Sequence, residues 1–169
     1  MATTTSIVGT VNALAFNNLK TDDGNTARIR DGQEAICSNF SSLSIPAGAT
    51  INGIEVDMEG YASTGATAED CFSVSNDDGT TFSTEQNITT GPWSTDSETH
   101  LVETAGGTSE LWGMTWNAAT ASAIQIRIKI DAFFAVYLDY VLVRITYTAT
   151  PKSLTINGVA TINGQLTIK

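Results

Sequence analysis

Apolar and polar residues alternate along much of this chain with a period of two. In IQIRIKID, Ile124, Ile126, Ile128 and Ile130 fall on one side, and Gln125, Arg127, Lys129 and Asp131 on the other. YVLVRITYT sets Val141, Val143, Ile145 and Tyr147 on one face. GIEVDMEGYA sets Ile54, Val56 and Met58 against Glu55, Asp57 and Glu59. Side chains alternate across a strand, so each segment predicts a half-buried antiparallel strand. A carboxylate row on one strand face repels itself unless paired, and Arg127 and Lys129 are the expected cross-strand partners.

Turn signals separate these strands: SIPAGATING with Pro46 and Gly48, DDGN from Asp22, and NDDG from Asn76. Only NAATASA, residues 117–123, reads as helical, and for no more than a turn or two. Strands at this spacing predict an all-β protein, an antiparallel β-sandwich or jelly roll. Pro151 and Lys152 break the pattern, which places the sandwich domain at residues 1–150 and a short C-terminal β-tail at 151–169.

The tail reads LTINGVATINGQLTIK, with Thr-Ile-Asn-Gly at 155–158 and again at 161–164. Two Asn-Gly type I′ turns would make it a small meander, whereas the six-residue recurrence fits a fibre-like rung. A unit this short cannot bury enough surface to stand alone. Its apolar residues Leu154, Ile156, Val159, Ile162, Leu166 and Ile168 are therefore expected at an interface, in cis or in trans. The earlier tetrad at 50–53 lies within a strand pattern and reads as a strand entry.

Composition narrows function. Charged residues make up only 15% of the chain, and Thr, Ser, Gly, Ala and Asn fill the difference, giving a hydroxyl-rich surface. The formal net charge of −10 and the lack of any basic run oppose binding to nucleic acid or an anionic membrane. The N-terminal stretch has neither a basic n-region nor a long apolar run, so a protein made and kept in the cytoplasm is expected. Cys37 and Cys71 lie far apart and read as buried thiols rather than a disulfide.

Chemistry-bearing motifs are sparse. SNDDGTTF resembles the Asp-box, a structural hairpin turn. In it Asp77 would accept turn N–H groups, Gly79 would take a positive φ, and Phe82 would pack beneath, with Ser75 opening the motif. Calcium at Asp77 and Asp78 lacks the EF-hand spacing and its terminal Glu. His100 is the sole histidine, and no nucleophile-elbow, phosphate-loop or zinc-spaced cluster accompanies it. Glu55, Asp57 and Glu59 read as solvated strand residues. No catalytic residue, metal site or cofactor is expected, and the chain is not expected to be an enzyme. Trp93, Trp112 and Trp116 admit two readings: stacking on sugar rings, or packing in a core or subunit interface.

Three stretches, SIPAGATINGIEVDMEG, LVETAGGTSELWGMTWNAATASAIQIRIKI and VYLDYVLVRITYT, together resemble a family of small β-sandwich proteins encoded among phage and prophage structural genes. The likeness covers residues 44–148. That family reads I-P-x-G-A-T-I-x-G-I-E-V, then D-L-W-G-L-T-W, then a closing D-x-V-R-I-T-V-Y-Y strand. Glu110 stands here where the family often has Asp, Met114 where it often has Leu, and Leu142 precedes Val143. The resemblance implies a virion structural protein made in the bacterial cytoplasm and displayed on the particle exterior. Its expected form is a homotrimeric capsid decoration or cement protein, or a head fibre, whose partners are itself and the major capsid or another virion protein. A tail-fibre or receptor-binding module that recognises host glycans is the alternative.

Overall fold

A computed structural model describes residues 1–7, 10–11, 19, 22, 24–30, 32–40, 43–63, 69–87, 93–131 and 135–150. The elements in chain order are β1 (Ala2–Ile7), β2 (Thr10–Val11), β3 (Ala27–Ile29), β4 (Glu34–Ser38), β5 (Thr50–Ala62), β6 (Glu69–Ser75), β7 (Gln86–Asn87), β8 (Leu101–Gly106), α1 (Ala118–Ser122), β9 (Gln125–Asp131) and β10 (Val136–Thr148). The strands form two antiparallel sheets. One runs β1-β10-β5-β8, with β3 pairing β10 beyond the end of β1. The other runs β2-β4-β9-β6-β7. The fold is all-β, an antiparallel β-sandwich.

The alternating residues make the core. Ile54, Val56, Met58, Val141, Val143 and Ile145 from one sheet, and Phe72, Val74, Ile126, Ile128 and Ile130 from the other, are all fully buried. Each such side chain contributes roughly 1.5–3 kcal/mol relative to exposure. The helix is as short as expected. Asn117 caps it by accepting from the N–H groups of Ala119 and Thr120, and the Thr120 hydroxyl closes the box on the Asn117 N–H.

The expected partner of the acidic strand face is corrected. Glu55 and Asp57 lie on β5, whereas Arg127 and Lys129 lie on β9 in the other sheet, so no cross-strand contact joins them. Arg144 of the neighbouring β10 stands opposite Glu55 and bonds both Glu55 and Asp57. Arg127 and Lys129 instead face Glu85, at 3.4 and 3.9 Å.

The tetrad at 50–53 is a strand entry. The β5–β10 register shifts between Gly53↔Thr146 and Ile51↔Tyr147, which leaves Asn52 as the extra residue, its amide donating to the Thr148 hydroxyl at 2.9 Å. A Cβ on Gly53 would come within 2.2 Å of the Thr108 backbone, so the loop after β8 lies directly on this strand. That loop is stitched to Ile54: the Gly107 N–H donates to the Ile54 carbonyl, and the Ile54 N–H donates to the Glu110 carbonyl. The Trp112 indole N–H also donates to the Ile54 carbonyl, at 3.0 Å.

Candidate functional site

The site forms on the outer face of the β1-β10-β5-β8 sheet. Glu59 follows Met58 on β5, and because Met58 is buried in the core, Glu59 points the other way. It stands opposite Tyr140 on β10 and Val102 on β8. The β5–β10 ladder shifts register between Leu138↔Gly60 and Tyr140↔Glu59, which makes Asp139 a bulged residue. A bulge breaks the alternation of sides, so the consecutive residues Asp139 and Tyr140 both reach Glu59. The bulge brings β10 so close to β5 that a Cβ on Gly60 would sit 2.1 Å from the Tyr137 carbonyl oxygen.

His100, just before β8, completes the group. Its Nδ1 is 3.5 Å from Asp139 Oδ2 and 3.8 Å from Glu59 Oε1. One ligand-type atom from each of these residues lies within 4.8 Å of the others. The imidazole is held in plane by packing on Tyr61, with ring centroids 5.5 Å apart. Tyr61 stacks in turn on Tyr137 at 4.8 Å, and the Arg28 guanidinium covers Tyr137. From the other side the Gly24 N–H donates to Asp139 Oδ2 at 2.9 Å. Asp22, Gly24, Glu59, Ser97, Glu98, His100 and Asp139 line a concavity of about 370 Å³.

Electrostatics here are dominated by carboxylates. Asp139 is 1% exposed. Burial pushes the Glu59 carboxyl above its ordinary range; the Tyr140 hydrogen bond and the His100 imidazole oppose the shift, and the charges of Asp22 and Asp139 add to it. The Tyr140 phenol is pushed up to about 12, first by burial and then by the charge of Glu59. Four carboxylates and one imidazole thus line one cavity.

The sequence reading named none of these residues as a site. It set His100 aside as solitary and Glu59 as solvated, and expected no metal cluster, because the ligand-type residues come from segments far apart in the chain. One local signal was there: in VYLDYVLV the alternation breaks at Leu138-Asp139, where a polar residue is buried next to an apolar one.

The residues that the sequence did single out lie elsewhere. Trp93 and Trp112 are each 4% exposed and belong to the core, so neither presents an indole face to a sugar or to another chain. Trp116 is partly buried against that core and donates its indole N–H to the Leu111 carbonyl at 3.0 Å. The Asp-box-like turn has its internal bonds. Ser75 Oγ bonds Asp77 Oδ1 at 2.8 Å and accepts the Gly79 N–H at 2.9 Å. Asp77 also takes the N–H and hydroxyl of Thr81. Gly79 has φ 78°, and Phe82 lies under the Arg127 guanidinium, 4.5 Å from the ring centre. Asp78 accepts from the Gln125 amide. Cys37 and Cys71 are buried thiols that form no disulfide, and burial pushes the Cys37 thiol up to about 12. Leu154, Ile156, Val159, Ile162, Leu166 and Ile168 lie outside the described residues.

The described chain is thus an antiparallel β-sandwich with an acidic, histidine-containing concavity on the outside of one sheet. No protein-family model matches the sequence, and no curated protein matches it. Among solved structures it is similar to the CBM22-1 xylan-binding domain of Xyn10C from Paenibacillus barcinonensis. The identity is 10% and the TM-score 0.44, over 86% of this chain and 87% of that one.

Proposed function

We propose that this chain is a structural protein of a phage particle, a homotrimeric capsid decoration or cement subunit that binds the major capsid lattice from outside. The observation that carries the reading is the interlock at Ile54. The stretches resembling the phage family, around SIPAGATINGIEV and GGTSELWG, dock on one another through Gly53, Ile54, Gly107, Glu110 and Trp112. Gly53, Ile54 and Trp112 match the family pattern, and Glu110, which departs from it, joins through its backbone carbonyl, as expected if the likeness reflects a common scaffold. The mechanism is binding energy rather than chemistry. A lattice repeats one attachment site, so modest affinity per subunit is amplified when subunits are joined. Attachment through residues 151–169 is part of this reading.

The test is cryo-electron microscopy of particles from a strain carrying the gene, beside particles from a deletion strain. The expected result is density on the head, with three-fold clustering, that is absent from the deletion particles. Sedimentation of the purified chain should report a trimer, and a chain lacking residues 151–169 should fold but fail to decorate. Particles with no density for the protein on the head would end this proposal. In that case glycan-array binding by the folded chain would favour the receptor-binding alternative, although burial leaves Trp93 and Trp112 no face for stacking.

A further inference from the structure

We propose that Glu59, His100 and Asp139 bind a divalent transition-metal cation of the zinc class, clamping Asp22, Gly24 and the segment 97–100 onto the outer face of the sheet. The proposal is independent of any role on a virion. Zinc takes imidazole nitrogen at about 2.0–2.1 Å and carboxylate oxygen at about 2.0–2.2 Å, so two tetrahedral ligands stand about 3.4 Å apart. His100 Nδ1 lies 3.5 Å from Asp139 Oδ2 and 3.8 Å from Glu59 Oε1, within a few tenths of an ångström of that spacing. All three ligand atoms lie within 4.8 Å of one another, so the two carboxylates close toward each other when the ion binds.

The surroundings suit this use. Asp139 Oδ2 accepts the Gly24 N–H, which fixes the carboxylate. Tyr140 bonds Glu59, and Tyr61 fixes the plane of the imidazole. Such outer partners orient metal ligands and tune them. The backbone devices serve the same end: the bulge aims Asp139 outward, and Gly60 permits the close approach that the bulge requires. Asp22 and Glu98 on the wall of the cavity add negative charge without adding a competing cation. One imidazole and two carboxylates select zinc or manganese over calcium, which prefers an all-oxygen shell.

The experiment uses the untagged full chain, in which His100 is the sole histidine, so its imidazole resonances report on the site directly. Zn²⁺ is titrated by calorimetry and by NMR, with Mn²⁺ and Ca²⁺ as parallel arms. The expected result is one Zn²⁺ per chain, binding tighter than Mn²⁺ and at least 100-fold tighter than Ca²⁺, with the imidazole signals shifting at the same stoichiometry. His100→Gln and Glu59→Gln should each weaken Zn²⁺ at least 100-fold while leaving the circular dichroism spectrum of the sandwich intact. No Zn²⁺ binding at millimolar metal would make the cluster an ion-pair network and overturn the proposal. So would Zn²⁺ affinity unchanged in both variants, or Ca²⁺ binding as tight as Zn²⁺ and indifferent to His100→Gln.

Discussion

Replacing Arg144 with Met keeps the length of the side chain and removes the charge that joins Glu55 and Asp57. The side chain of Asp57 is 2% exposed, and after the substitution the Thr104 hydroxyl still donates to it at 2.9 Å. Removing one partner of a fully buried pair costs about 3–5 kcal/mol, whereas an exposed pair is worth about 0–1 kcal/mol. Arg144 is 39% exposed and Glu55 24%, so solvent screens part of the interaction. Discounted for that screening, the expected loss for Arg144→Met is about 2 kcal/mol. With a urea m-value of about 2 kcal/mol/M, the unfolding midpoint should fall by about 1 M at unchanged m. Arg144→Met with Asp57→Asn should recover about 1 kcal/mol, because the amide removes the buried unpaired charge. Lys129→Met, which loses a 3.9 Å contact with the exposed Glu85, should cost less than about 0.5 kcal/mol. If Arg144→Met unfolds at the parental midpoint, or Lys129→Met proves the costlier change, the assignment of the acidic strand to β10 is wrong.

Other expectations follow from single features. Gly60→Ala drives a methyl into the Tyr137 carbonyl and should lower stability by about 2–3 kcal/mol in thermal unfolding, with β5–β10 amides losing exchange protection first. Bonds from Thr81 and Ser75 hold the Asp77 carboxyl below its ordinary value of 3.8. Its contribution is therefore present above that value and is lost as pH falls through the lower folded one. Asp77→Asn should flatten the acid limb of the stability curve, and an unchanged limb would count against the assignment. Cys37 and Cys71 are buried, so neither should react with a thiol reagent until urea unfolds the chain, when both should label. Rapid labelling in native buffer would contradict their place in the core.

The strands were legible because their signal is local. Period-two alternation over Ile124–Ile130, Ile54–Met58 and Val141–Ile145 requires a buried face whatever the neighbours are, and those residues are the core. The short capped helix and the Asp-box-like turn were legible for the same reason, since their bonds close within a few residues. Which strand lies beside which is not local. Alternation says that Glu55 and Asp57 face away from the core, but only the order of strands in the sheet decides that Arg144, and not Arg127, meets them.

The tryptophans make the same point. Their chemistry suits a sugar platform and a core equally, and it is the loop stitched to Ile54 that buries Trp112. The acidic site went unread because its parts are ordinary one at a time: a strand glutamate, a lone histidine and an aspartate at a break in the alternation. By itself the sequence determined which faces are buried and where the chain turns. Only the tertiary structure, through a bulge in β10 and a glycine that admits it, brought Glu59, His100 and Asp139 to one point. Contacts between segments distant in the chain depend on sheet order and register, and no local pattern encodes them.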